Sequence, residues 1–155
     1  MTDRGPGVFI TFEGTDGCGK STQLRLFVER LRAGGRAVAE TAEPGGTPIG
    51  RQIRRVLLDG RNQELSPTAE LLLYFAARAQ NVDEVVEAAL ERGEIVVCDR
   101  WTDSTLVYQG AGRGLGAEVV EQLDAVACRG LRPDLTICLE IDLATSLERD
   151  RFQAD

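Results

Sequence analysis

The chain has 155 residues, 43% hydrophobic and 28% charged, the size and make-up of one globular domain with a single core. A net charge of −7 and a pI near 4.7 argue against a nucleic-acid backbone as partner, which needs a basic face, whereas a few converging arginines can still draw in an anionic small molecule. No apolar stretch approaches the ~20 residues that cross a bilayer, and Met1–Gly7 has neither a basic start with an apolar run nor a small-residue cleavage site; no membrane partner and a cytoplasmic location are expected.

Val8–Phe12 is a short β-branched and aromatic run that enters a glycine-rich turn, and from Ser21 to Arg32 apolar residues recur at Leu24, Leu26, Phe27, Val28 and Leu31. That order reads as strand, loop, helix. Gly34-Gly35 closes the helix, and Arg36–Thr41 reads as a weak strand because Ala37 and Ala39 are poor strand formers. Glu43–Pro48 (EPGGTP) cannot be regular structure and leaves that strand as a loop. Ile49–Leu58 has helical spacing. A long helix is expected from Pro67 to about Arg92, with Ser66 as cap, proline at the first helical position and Glu70 near the positive end.

Ile95–Cys98 is a continuous apolar run, the pattern of a strand covered on both faces, with Asp99 and Arg100 at its carboxyl end. Trp101–Gly116 reads as a loop, glycine-rich in its second half; Ala117–Cys128 is a helix and Asp134–Ile141 a further buried strand. Buried strands alternating with helices imply right-handed crossovers: an α/β three-layer sandwich, a parallel β-sheet with helices on both faces. Ligands bind such sheets beyond the carboxyl ends of the strands.

Cys18, Cys98, Cys128 and Cys138 fall at no metal-ligand spacing, and without histidine the usual zinc sites are excluded; reduced, mostly buried thiols are expected. Every basic residue but Lys20 is arginine. That exception falls in Gly14-Thr15-Asp16-Gly17-Cys18-Gly19-Lys20-Ser21, which fits the eight-residue phosphate-loop pattern between a strand and a helix. Glycines turn backbone N–H groups around a β-phosphate, Lys20 reaches β and γ oxygens as a compact charge, and the Ser21 hydroxyl can ligate Mg²⁺. Thr22, just beyond, is a packing or capping residue that the same loop brings near the nucleotide. Asp99 can hold the magnesium ion through water, and Arg100 can bridge donor and acceptor phosphates as charge builds during transfer. By itself an Asp-Arg pair at a strand end is also a common surface ion pair.

With Phe9–Thr22 (FITFEGTDGCGKST), Glu43–Pro48, Leu71–Gln80 (LLLYFAARAQ), Asp99–Gly114 (DRWTDSTLVYQGAGRG) and Pro133–Ile141 (PDLTICLEI) in this order, the chain resembles the bacterial type of thymidylate kinase, a P-loop nucleoside monophosphate kinase family. The resemblance implies ATP with Mg²⁺ as donor, dTMP as acceptor, no nucleic acid, and a homodimer. It makes Lys20, Arg100 and Asp16 catalytic, with Asp16 accepting a hydrogen bond from the sugar 3′-hydroxyl. It assigns Gly14–Ser21, Thr22 and Arg149 to the nucleotide, and Ser21 and Asp99 to the metal. Glu43 and Arg54 would serve the acceptor side, Arg54 at its phosphate; Tyr74 would stack on thymine and Arg78 reach the base. Ser104, Thr105, Tyr108 and Gln109 would line the thymidine site, Tyr108 crowding the place of a ribose 2′-hydroxyl. Another nucleoside or nucleotide kinase, or an ATP-binding module without transfer, are the competing functions.

Three departures from the family pattern stand out: Ala42 where an arginine is frequent, Glu140 where aspartate is usual, and Gly17 where some relatives have an arginine, so that a lid must supply the cation. The helix over Leu143–Arg149 runs directly into Asp150-Arg151-Phe152-Gln153. One P-loop kinase domain over residues 1–155 is therefore expected, lacking the lid near 149–150 and shortened at the C-terminus, without the family's last strand and closing helices.

Overall fold

The structure, a computed structural model, describes residues 6–142, 144–146 and 149. Of the helix expected over Leu143–Arg149, Ala144, Thr145, Ser146 and Arg149 are described and helical; Leu143, Leu147 and Glu148 lie outside the described residues, as do the lid position next to Arg149 and everything that follows.

Four strands form one parallel sheet in the order β2-β3-β1-β4: β1 (Val8–Gly14), β2 (Val38–Ala42), β3 (Ile95–Asp99) and β4 (Leu135–Leu139). Period-two alternation gives β1 two apolar faces. Ile10 and Phe12 join Val97 and pack on Val28 of α1 (Lys20–Ala33), with Leu24 and Phe27 behind. Phe9 points the other way with Val96 and Cys98, against Leu71 and Phe75 of α3 (Pro67–Asn81) and Val120 and Cys128 of α6 (Ala117–Cys128). Helices therefore cover both faces, as expected.

Three local expectations are corrected. The long helix from Pro67 is not uniform: α3 passes through a π-helical stretch, Val82–Val86, into α4 (Glu87–Glu91). The widened turn accompanies complete burial of the consecutive side chains Asn81 and Val82, one polar and one apolar. Trp101–Gly116 is not an open loop, since it holds α5 (Thr102–Thr105) and a π-helical segment, Leu106–Gly112, packed through Gly110 on Val120. Finally, β4 is an edge strand with Leu135 and Cys138 exposed, where a buried strand was expected. Among the described residues only β1 pairs with it.

The turn from β2 to α2 (Pro48–Leu58) contains a cis Glu43–Pro44 bond and ends at Thr47, whose hydroxyl caps α2 by accepting from the Gly50 N–H at 2.9 Å. The Thr41 hydroxyl donates to Asn81 Oδ1 at 2.7 Å, tying β2 to α3. Gly46 lies against that bond: a Cβ there would sit 2.0 Å from Thr41 Oγ1 and 2.5 Å from Asn81 Oδ1. Gly46→Ala is therefore expected to destabilise the fold by about 1–3 kcal/mol, as overpacked sites do, a Tm decrease of roughly 3–10 °C in thermal unfolding followed by circular dichroism.

Candidate active site

The phosphate loop leaves β1 at Gly14, whose φ of 146° and close approach to the Leu139 carbonyl (2.5 Å from a Cβ placed there) require glycine. Gly17 and Gly19 have φ of 75° and 87°, and α1 starts at Lys20 with no side-chain cap and no acid in its first turn. The positive end of the helix is thus open to an anion. A cavity of about 560 Å³ lies over it, lined by Thr15, Asp16, Gly17, Gly19, Lys20, Ser21, Thr22 and Arg149. Arg149 reaches across to donate to the Gly17 carbonyl at 3.0 Å. Gly14 and Cys18 shape the loop from beneath and do not line this cavity; the Cys18 side chain is buried.

β1 and β3 run side by side with Phe12 opposite Asp99, which brings the second motif against the first. Lys20 Nζ and Asp99 Oδ1 are 2.7 Å apart, the ammonium nearly buried. Arg100 extends the ladder by donating its N–H to the Phe12 carbonyl at 2.9 Å, in a left-handed conformation (φ 70°) that non-glycine residues seldom adopt. Its guanidinium pairs with Asp16 at 2.6 Å, donates to the Ser104 hydroxyl at 3.0 Å and lies over the Tyr108 ring.

A second cavity, about 660 Å³, opens on the far side of this ion pair. The residues expected at the acceptor site all line it: Glu43, Arg54, Tyr74, Arg78, Arg100, Ser104, Thr105, Tyr108 and Gln109. Asp16 borders both cavities. Arg54 is steadied by the Pro44 carbonyl, which accepts from it at 2.9 Å. The half-buried Tyr74 has its phenol pKa raised by burial and by the Glu70 charge, so it stays a neutral ring.

Arg78, expected at the base, is more enclosed than the sequence suggested. It is 1% exposed, lies over the rings of Phe75 and Trp101, and donates to Thr105 and Thr102 at 2.8 and 3.2 Å. Two carboxylates, on Glu43 and Asp124, each approach it to 3.8 Å. Glu43 is also enclosed; its Oε1 accepts from Asn81 at 2.5 Å, while its Oε2 and Arg78 Nε face each other without hydrogen bonds. Burial raises the Glu43 pKa to about 7, against the opposing pull of Arg78 and the Asn81 amide.

Several cavity residues had no role in the sequence. Glu70, visible there only as a charge at a helix start, holds Gln109 Nε2 at 2.8 Å and Arg113 at 2.7 Å. Arg113, Leu57 and Leu58 also line the cavity. Glu13, buried at the end of β1, accepts from the Trp101 N–H and the Ser104 hydroxyl. An acidic residue at an inward-facing position of a buried strand was the available signal for it.

The donors available to a metal are oxygens, the Asp99 carboxylate and the Ser21 hydroxyl, and no group of three or more acidic or cysteine side chains forms a cage among the described residues. Such a set fits Mg²⁺, which keeps several waters and shares its shell with substrate phosphates.

A phosphate loop and an Asp-Arg pair on neighbouring parallel strands, between two cavities that share one carboxylate, are the architecture of the P-loop nucleoside monophosphate kinases. The model of the family described as Thymidylate kinase matches residues 12–155, and the chain belongs to that family. It is 54% identical over 143 residues to the thymidylate kinase of Citrifermentans bemidjiense (92% of this chain, 64% of that protein). Over 143 residues it is likewise 54% identical to that of Deinococcus radiodurans (92% and 69%). The chain thus spans 64% to 69% of the length of these curated relatives. A crystal structure of thymidylate kinase from Ehrlichia chaffeensis superposes with a TM-score of 0.82 at 36% identity, covering 96% of this chain and 85% of that one.

The Glu43 carboxyl makes stability depend on pH. Its folded pKa of about 7 lies above the ordinary value of 4.5, so the folded state holds the proton more tightly. That contribution is complete below about pH 4.5 and is lost as pH rises through about 7. Glu43→Gln, which cannot ionise, is expected to gain on the wild type between pH 5 and pH 8 by on the order of 2–3 kcal/mol in urea unfolding.

Proposed function

We propose that the chain transfers the γ-phosphoryl group of ATP, bound with Mg²⁺, to thymidylate, giving dTDP and ADP. The observation that carries this is the meeting of the phosphate-loop cavity with the acceptor cavity at the Asp16–Arg100 pair. In that arrangement the loop amides and Lys20 hold the β- and γ-phosphates of the donor. Ser21 and Asp99 would hold Mg²⁺, which screens the phosphate charge. A phosphate oxygen of dTMP forms the new bond to the γ-phosphorus while the bond to the β,γ-bridging oxygen breaks. The guanidinium of Arg100 stands where charge grows on the transferring group. The attacking oxygen is already an anion, so alignment and charge neutralisation suffice and no covalent intermediate is needed.

For the acceptor, Arg54 faces the phosphate, Asp16 takes the 3′-hydroxyl and the Tyr74 ring offers a face to thymine. Thr105, Gln109 and the Arg78 guanidinium supply the polar wall, with Glu43 beneath it. Tyr108, stacked by Arg100, fills the side where a ribose 2′-hydroxyl would project. Arg149 over the loop belongs to the donor side.

A homodimer fits the exposed apolar side chains Leu72 on α3 and Val119 and Val126 on the neighbouring α6; sedimentation velocity would read it. A cytoplasmic setting fits the free cysteines, with Cys18, Cys98 and Cys128 buried. No helix among the described residues is long and apolar enough to cross a membrane.

Coupled ADP-release assays test the activity. Turnover is expected to be strongest with dTMP among nucleoside monophosphates, and equal turnover with the others would overturn the substrate. Arg100→Ala should lower kcat by roughly 10²–10³-fold, the scale of one lost transition-state donor, while the far-ultraviolet circular dichroism and ATP binding are kept. ATP binding with no acceptor-dependent turnover in the wild type would leave only a nucleotide-binding module, and unchanged kcat in Arg100→Ala would overturn the role given to Arg100.

A further inference from the structure

Arg100 must keep its guanidinium between the two cavities although its backbone is left-handed and its Asp16 partner is two-thirds exposed. An exposed ion pair is a weak restraint. The firmer one comes from behind. Glu13, 5% exposed at the end of β1, accepts the Trp101 N–H on Oε1 at 2.7 Å and the Ser104 hydroxyl on Oε2 at 2.6 Å. Ser104 Oγ in turn accepts from Arg100 Nη1 at 3.0 Å.

A serine hydroxyl has a single hydrogen. Because Glu13 takes it, the lone pairs of Ser104 are left facing the guanidinium, and the hydroxyl can only accept there. The Trp101 bond meanwhile fixes the peptide that follows Arg100, the point where a left-handed residue would otherwise relax. Both ends of the device rest on one short segment, since Glu13 directly precedes the phosphate loop and Arg100 closes back onto Asp16 within it.

We propose that Glu13 is a positioning residue for phosphoryl transfer, acting through Ser104 and the Trp101 amide to hold Arg100 in line with the phosphate loop. This rests on the kinase activity proposed above. Glu13 itself touches neither nucleotide. Its carboxylate has to be the acceptor at both oxygens, and glutamine, the same in shape, turns one of them into a donor that reverses the Ser104 hydroxyl.

The test compares Glu13→Gln, Ser104→Ala, the double variant and Ser104→Thr. With ATP and dTMP, Glu13→Gln and Ser104→Ala should each lower kcat about 10- to 100-fold, the scale of one charge-assisted hydrogen bond. In Glu13→Gln, which alters no cavity-lining side chain, KM for both nucleotides should stay within about threefold, because the loss falls on the transition state. The double variant should lose about as much as the more impaired single rather than the product of the two losses, since both break one chain of bonds. Ser104→Thr should recover most of the rate. Independently of turnover, the Arg100 Nε–H resonance, assigned by Arg100→Lys, should be sharp in the wild type and exchange-broadened in Glu13→Gln and Ser104→Ala. If the wild type does not phosphorylate dTMP, the kinase activity falls while this resonance still decides the positioning. An equally sharp Arg100 signal in both variants overturns the proposal, as does a Glu13→Gln loss that follows Tm alone with Ser104→Ala unaffected.

Discussion

The site depends on the parallel pairing of β1 with β3. Phe12 lies opposite Asp99, and the Arg100 N–H adds one more rung by donating to Phe12. A slip of one residue would turn every side chain of β3 to the other face. Val97 would leave the layer under α1 and Val96 the layer under α3, so burial on both faces enforces the register. The chemistry inherits it: Lys20 meets Asp99, and Arg100 meets Asp16, because two hydrophobic layers leave β3 one position relative to β1.

Charge inside the acceptor cavity is arranged differently from charge at its mouth. Arg78 is fully enclosed between aromatic rings with two carboxylates just outside hydrogen-bond distance, and it bonds to threonine hydroxyls. Removing a buried cation from water is costly unless its donors are satisfied, and the threonines satisfy part of that demand. The remaining balance falls on Glu43, whose raised pKa records how little solvent reaches it. The β2–α2 turn and α3 are thereby joined through Glu43 and Asn81, so the floor of the cavity is also a structural bond between two elements.

Much of this was legible in the sequence because glycine spacing and strand parity are local. The phosphate loop, the Asp-Arg pair and the buried β3 are each defined within a few residues, and the cavity lining follows from the family pattern. What escaped depends on which residues meet across the fold. Glu13 sits one position before the loop, and nothing nearby shows that Trp101 and Ser104 come to meet it. Glu70 reads equally well as a helix-dipole charge; only the π-helical segment after α5 brings Gln109 and Arg113 within reach. The widened turn at Val82–Val86 has no composition signal, since Val-Asp-Glu-Val-Val suits an ordinary helix too. The edge position of β4 was hidden for the same reason: an apolar run does not say how many neighbours a strand has.

The two ion pairs at the mouth acquire a common meaning once transfer is considered. Lys20 and Arg100 would each have to release a carboxylate partner and take up phosphate oxygens. Arg100 is held by Asp16 through an exposed carboxylate, a bond worth about 0–1 kcal/mol in water, so exchanging it for a phosphate is favourable on charge alone. Lys20 faces Asp99 in a more enclosed place, where departure would leave a carboxylate needing a new cation. Mg²⁺ held by Asp99 and Ser21, as proposed, would meet that need, and the lysine's move would then be linked to metal uptake. The carboxylates then do more than neutralise. Before substrate arrives Asp99 on Lys20, and Ser104 behind the Asp16 pair on Arg100, would keep both cations extended toward the places proposed for the phosphates, so little reorganisation would remain for the reacting complex.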